Sequence, residues 1–230
     1  GVSSGFFCSW AGLKTVVVEK REDLGRLTTS ASTECFRAQF ESHENIDLML
    51  GSIEIFHHFR DVVKVADADI ALHPQGYIYV TGDPAQAAAY RETVANQHQL
   101  GLADVELLSG DEARARFPYL GPRVIAARYR AGDGWLSVHE MLWGFAKGSQ
   151  AQHFLQTQVL GILVDSQGVC GVQTSRGVIQ TRRVVVAAGP FSGQVARLAG
   201  VELPLTILRR HRLAVLHCDL VPTTAPFTMD

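Results

Sequence analysis

The sequence of 230 residues has no apolar run near the roughly 20 residues a membrane-spanning helix requires. It also lacks any basic block. Its 21 Lys and Arg stand against 23 Asp and Glu, a formal charge of -2. A general nucleic-acid or membrane-surface binder needs positive excess, so both classes are disfavoured. The four cysteines, Cys8, Cys35, Cys170 and Cys218, form no CxxC pair. Structural zinc is thereby disfavoured, and free thiols in a reducing compartment are the simple reading. Internal repeats and low-complexity tracts are absent too. What is present is 47% hydrophobic content, enough for a sizeable core and more than one domain.

Residues 15–19 are a β-branched run suited to a parallel strand buried on both faces. Residues 20–33 are small and polar, hence a loop. Ile46, Met49, Leu50, Ile53, Phe56, Phe59 and Val63 recur at helical spacing and predict one long amphipathic helix over 43–65. A strand follows over 77–80. Asp83-Pro84 then opens a helix ending near Gly101, with Asp as cap and Pro at the first position. Ser109–Glu112 and Ser137–Glu140 have capping-box spacing and each opens a helix, the first ending before Pro118; a strand over 124–129 lies between them. From residue 154 the texture is that of a β-meander, with short strands over 154–159, 161–165, 169–174 and 178–181. Residues 183–188 read as a further buried strand. Gly189 and a helix to about Ala199, closed by Gly200, complete the series. The alternation is α/β with inserted antiparallel elements.

The opening stretch, GVSSGFFCSWAGLKTVVVEK, has a specific spacing. In a dinucleotide-binding βαβ unit, GxGxxG lies between the first strand and a helix. An acid about 20 residues further on, at the end of the second strand, binds ribose hydroxyls. If Gly1 is the last of those glycines, residues 2–11 form the helix, Gly12 ends it, and Glu19 is the acid. The sequence would then be cut inside its own phosphate loop. On these residues alone, an ordinary buried strand ending in a solvated glutamate is an equal reading. The far end tips the balance: VVVAAGPFS is a strand ending in small residues, and Gly189 lets a ligand approach the backbone.

Several stretches, in this order, resemble FAD-dependent oxidoreductases of the D-amino-acid oxidase family, in particular its sarcosine oxidase and dimethylglycine dehydrogenase branch. LKTVVVEK is similar to the second strand with its ribose-binding acid, and TTSASTECFRAQF to the loop crossing the flavin. HPQGYIYV resembles the first strand of the substrate domain, LLSGDEARARFPYL the S-x-E-E-x-x-x-x-F-P segment, and AGDGWLSVHEML the D-G-x-x-x-P-H return. VVVAAGPFSGQVARLAGVELPLTILRRHRLAV resembles the A-A-G-A-W-S strand–turn–helix and the strand leaving it. The departures are Val138 in place of Pro, Pro190-Phe191 in place of Ala-Trp, and an end at Asp230 before the family's C-terminal part.

The resemblance implies a Rossmann-like FAD-binding domain with an inserted antiparallel α+β substrate domain, incomplete at both ends. Residues 1–73 and 136–204 fall to the FAD domain, 74–135 to the insert, and 205–230 to the first returning substrate-domain strands. It implies FAD as cofactor. Gly1 and Val2 at the helix start, and Glu19 and Lys20 at the strand end, would contact it. So would the hydroxyls of Thr28, Thr29, Ser30, Ser32 and Thr33, the Val159 backbone at the adenine, and the Ala188-Gly189 turn at the pyrophosphate. A solvated Ser/Thr loop, and packing alone for Val159, are the competing readings. Arg37 is the residue implied at the substrate carboxylate, against a structural ion pair as its alternative. His57-His58 and Cys35 read as ordinary packing or surface residues, and no metal ligand is assigned.

The activity implied is oxidation of the C–N bond of an N-methyl or secondary amino acid. The alternative is a flavin-containing assembly or structural factor without turnover, or a fragment inert in isolation. The expected partner is a small-molecule amino acid or amine, with neither nucleic acid nor stable membrane insertion; oligomeric state is not indicated. The expected location is cytoplasmic, with the mitochondrial matrix as alternative.

Overall fold

The structure is a computed structural model that describes residues 1–213, 216 and 218–230. The chain begins with α1 (Val2–Trp10), ended by Gly12 in the left-handed region at φ 80°, and β1 (Val16–Val18). β2 (Cys35–Phe36), α2 (His43–His57) and α3 (Phe59–Val63) follow. Next come β3 (Tyr77–Thr81), α4 (Pro84–Gln99), β4 (Glu106–Ser109), α5 (Gly110–Arg116), β5 (Ala126–Arg130) and β6 (Gly134–Trp135). α6 (Val138–Gly148), β7 (Gln152–Phe154), β8 (Val159–Asp165), β9 (Gly168–Thr174) and β10 (Gly177–Gln180) complete the middle of the chain. A 3-10 turn over Gly189–Phe191 leads into α7 (Ser192–Arg197), and β11 (Phe227–Met229) is the last strand.

Local chemistry sets many of these boundaries. The Asp83 carboxylate accepts the Ala85 N–H at 2.9 Å, with Pro84 as the first helical residue of α4. Ser109 and Glu112 close a reciprocal capping box at the start of α5, the Glu112 side chain accepting the Ser109 N–H at 2.8 Å.

Five expectations change. The helix over 43–65 is two helices, broken at His58. At 3.6 residues per turn an unbroken helix would swing Phe59 about 120° off the face defined by Ile46 and Ile53. All three are buried, so the break serves burial. The strand over 154–159 does not form: Phe154 ends β7, and Gln156 turns the chain at φ 50° before β8. Residues 15–19 are half-buried rather than buried. Residues 183–188 are not a strand, since they form no ladder with any described strand; Val185 is 65% exposed. The strand expected to leave α7 is likewise not formed over 201–213, and its end at Ala214 and Val215 lies outside the described residues.

Two compact units emerge. The first comprises residues 1–32, 63–68 and 138–212. In it β1 pairs in parallel with β7, and β8, β9 and β10 form an antiparallel meander. α1 lies against β1 through Gly5, where any Cβ would press into Val17. Phe6 and Phe7 pack on Phe145 of α6, ring centroids 5.2 and 5.8 Å away.

The second unit comprises residues 33–62, 69–137 and 213–230. Its sheet has the order β11-β3-β5-β4, with β11 parallel to β3 and the other pairs antiparallel. Ile78, Val80, Ala113, Ala127 and Tyr129 form its apolar core. β2 pairs with β6, and His73 bridges to Trp135 with the two rings stacked at 4.0 Å. Among the described residues no helix is long and apolar enough to cross a membrane.

Gly134 is the tightest point of this arrangement. A Cβ there would overlap the His73 carbonyl oxygen, which is backbone and itself accepts the Trp135 N–H. Gly134→Ala is therefore expected to destabilise the protein by about 1–3 kcal/mol, as overpacking against immovable atoms does. The denaturant midpoint of the two proteins measures it; an unchanged midpoint would show that the His73 backbone yields freely.

Candidate functional site

Residues singled out in the first unit converge. Gly1 is the N-cap of α1, and no side chain caps the helix's free N–H groups. A Cβ on Gly1 would stand 3.9 Å from the Ala187 oxygen and 4.0 Å from Val17. The helix start, β1 and the 187–189 turn are thus neighbours. Gly189 takes φ 54°, and a Cβ there would sit 3.5 Å from the Thr28 hydroxyl. Lys20 lies over the Phe191 ring at 4.9 Å.

Glu19 ends β1. Its N–H donates to the Phe154 oxygen and its own oxygen accepts from Thr157, both at 2.9 Å. One carboxylate oxygen accepts the Arg21 N–H at 2.8 Å. Among the described residues no cation lies within ion-pair distance of Glu19. Val159 opens β8 two residues beyond Thr157.

In the intervening loop the Ser30 hydroxyl donates to the Gly25 oxygen at 2.5 Å. The Ser32 N–H donates to Thr29, and Arg212 donates to the Ser32 oxygen. Ser30 therefore closes the loop upon itself, while Thr28 faces the turn. Thr33 belongs to the second unit, where its oxygen accepts the Cys35 thiol at 3.1 Å. Burial pushes that thiol up to about 11, which suits an inert packed cysteine.

The second unit carries an open cleft lined by Arg37, Gln39, Phe40, Glu41, Tyr79 and Arg128, among others. Arg37 stands over the rings of Phe40, Tyr77 and Tyr79 at 4.7, 5.7 and 5.9 Å. Its place is set from behind by Asp133, which is wholly buried. The Asp133 carboxylate accepts the Ala38 N–H at 2.9 Å, Gln39 Nε2 at 3.0 Å and an Arg130 N–H at 2.6 Å. Burial raises this carboxyl above an ordinary aspartate, and those three donors oppose the rise.

Arg128 sits opposite. It pairs with Tyr79 in the β3–β5 register and lies over that ring at 3.9 Å and over Tyr90 at 5.5 Å. Burial lowers its pKa, against the pull of Tyr79, Tyr90 and Glu41. Arg128 Nε and Nη1 and Arg37 Nε are buried without hydrogen-bond partners.

Sequence reasoning selected Arg37 but missed Asp133 and Arg128. The available signal was the alternation in Ala126-Ala127-Arg128-Tyr129-Arg130: two arginines on one face of a strand otherwise read as apolar.

Residues 1–228 match the family model described as FAD dependent oxidoreductase. The chain is 29% identical over 228 residues to the FAD-dependent oxidoreductase domain-containing protein 1 homolog of Drosophila melanogaster, covering 86% of this chain and 43% of that protein. It is 23% identical over 211 residues to the mitochondrial dimethylglycine dehydrogenase of Homo sapiens, covering 89% of this chain and 24% of that one. The solved L-proline dehydrogenase from P. horikoshii has the same fold, with a TM-score of 0.78 at 24% identity, covering 87% of this chain and 53% of that one. The chain spans about half the length of the first curated relatives it matches. With nearly every residue inside the family match, the chain belongs to the FAD-dependent oxidoreductases of the D-amino-acid oxidase type, and its cofactor is FAD.

Proposed function

We propose that the protein oxidises the C–N bond of an N-methyl or other secondary amino acid, with FAD held by residues of the first unit and the substrate carboxylate held by Arg37. The observation that carries the cofactor half is the convergence of a helix start without a side-chain cap, a strand-end glutamate with no ion pair among the described residues, and a glycine turn.

Those residues fit the group chemically. The free N–H groups at the start of α1 and the positive end of its dipole suit a pyrophosphate. The backbone at Gly1 and Ala188-Gly189 bears no side chain beyond a methyl, so phosphate oxygens can come close. Glu19 has acceptor capacity left for ribose hydroxyls, and its position at the strand end is the one such an acid takes. Thr28 offers a hydroxyl beside Gly189, with Thr29, Ser30 and Lys20 in or beside the same loop. Val159 offers backbone groups to the adenine.

FAD, when bound, supplies the hydride acceptor that turns the amine into an imine, which water then hydrolyses. The protein's part is to bind and to aim. Arg37 presents a planar fork to a carboxylate, and fixing the carboxylate orients the carbon that loses hydride. Support for amine chemistry comes from the dimethylglycine dehydrogenase relative. The cytoplasm, or a mitochondrial compartment like that in the relative's name, goes with this reading.

Two measurements test it. Glu19→Ala should weaken FAD binding by about 2–4 kcal/mol, the worth of a pair of charge-assisted hydrogen bonds. Calorimetry on both proteins reads this directly. Equal affinity, or tighter binding of NAD than of FAD, would overturn the cofactor assignment.

Arg37→Lys should keep the charge but lose the fork, leaving flavin affinity nearly unchanged. Anaerobic bleaching of the flavin by an N-methyl amino acid should slow roughly tenfold or more, the effect of about 1.4 kcal/mol of lost orientation. Bleaching by a neutral amine without a carboxylate should barely change. If both amines slow equally, or the flavin is released, Arg37 is not the substrate anchor.

A further inference from the structure

β5 carries two arginines on one face, and their surroundings differ sharply. Arg128 is 9% exposed and Arg130 is 7% exposed. Arg130 is fully provided for: its Nε donates to Asp104 at 2.8 Å and its Nη1 to Asp133 at 2.6 Å. Arg128 has no carboxylate within ion-pair distance among the described residues, and two of its buried nitrogens have no acceptor. Leaving a buried cation without an anion is costly, and proteins ordinarily avoid it or use it.

What Arg128 faces is the cleft already occupied on its other side by Arg37. Among the described residues Arg37 also has no ion-pair partner, and its Nε is buried without an acceptor. The two guanidinium groups share one aromatic wall, Tyr79, over which they lie at 5.9 and 3.9 Å. The only acidic side chain lining the cleft among the described residues is Glu41. A cleft with two unpaired guanidinium groups and one glutamate complements a small molecule with two carboxylates and one ammonium.

We infer that the substrate is an acidic amino acid: Arg37 takes one carboxylate, Arg128 takes a second carboxylate on the side chain, and Glu41 faces the ammonium. The inference rests on the reading of Arg37 as substrate anchor and adds Arg128 as a specificity-determining residue. A guanidinium fork suits a carboxylate at each end, and both guanidinium groups lie over the Tyr79 ring. A lone carboxylate would leave one arginine still unsatisfied, so monocarboxylates should bind more weakly.

The test uses non-reacting ligands on the flavin-loaded protein, read by calorimetry. The dicarboxylates malonate, succinate, glutarate and adipate are titrated against the monocarboxylate propionate. The expected result is that one dicarboxylate binds at least tenfold more tightly than propionate. Arg128→Met should abolish that preference, and Arg37→Met should weaken both classes. If no dicarboxylate exceeds propionate on the unaltered protein, the inference falls without recourse to any variant. If Arg128→Met retains the dicarboxylate preference, Arg128 is not the second arm and the inference also falls. If instead Arg37→Met leaves propionate binding unchanged, the anchor reading of Arg37 is what has failed.

Discussion

The Asp133 carboxylate lies wholly out of water and is held by donors from two separate stretches of chain: the Ala38 amide and Gln39 side chain after β2, and the Arg130 guanidinium on β5. Its carbonyl also accepts the Gly76 N–H at 2.8 Å, just ahead of β3. One residue thus ties the segment after β2 to the main sheet of its unit. Removing one partner from a buried ionic cluster of this kind costs about 3–5 kcal/mol, since the charges left behind have no water to turn to. Arg37 directly precedes Ala38, so the direction in which its guanidinium projects is inherited from Asp133. Without that tie, an arginine at the end of a loop would sample many rotamers, and its orientation of a ligand would be lost to entropy.

The two faces of β5 divide this unit's labour. Ala127 and Tyr129 face the apolar core with Ile78, Val80 and Ala113. The opposite face puts Arg130 among carboxylates and Arg128 among aromatic rings. Burial alone does not tell the two arginines apart; their partners do. One is a structural ion held by the protein's own acids, and the other lies over the Tyr79 and Tyr90 rings with no carboxylate within ion-pair distance among the described residues.

Much of this was legible in the sequence because its causes are local. Asp83-Pro84, the Ser109–Glu112 box and Gly12 act within a turn of their own position, and the elements they bound were readable. The spacing from Gly1 to Glu19 is local too, and it led to the cluster with Thr28 and Gly189. The break at His58 was not legible, because apolar residues near helical spacing conceal a drift in phase that only burial exposes. Residues 183–188 have every mark of a strand, but a ladder needs a neighbour, and composition does not say whether one is there. Asp133 and Arg128 escaped for a related reason: what they do depends on cross-strand register and on residues some 90 positions away.

The parallel pairing of β11 with β3 has a consequence for the order in which the chain can fold. Phe227 stacks near Tyr77 with ring centroids at 4.8 Å, and the Thr228 and Tyr119 hydroxyls are 2.7 Å apart. Both units, moreover, are assembled from three separated segments each. Neither can therefore be completed as an early autonomous piece while the chain emerges from the ribosome. The first must wait for residues to 212, and the second for the strand at 227–229. Contacts of such long sequence separation are slow to form, because loop closure must precede their reward. Until then the edge of β3 that β11 comes to cover stays available to whatever strand reaches it first.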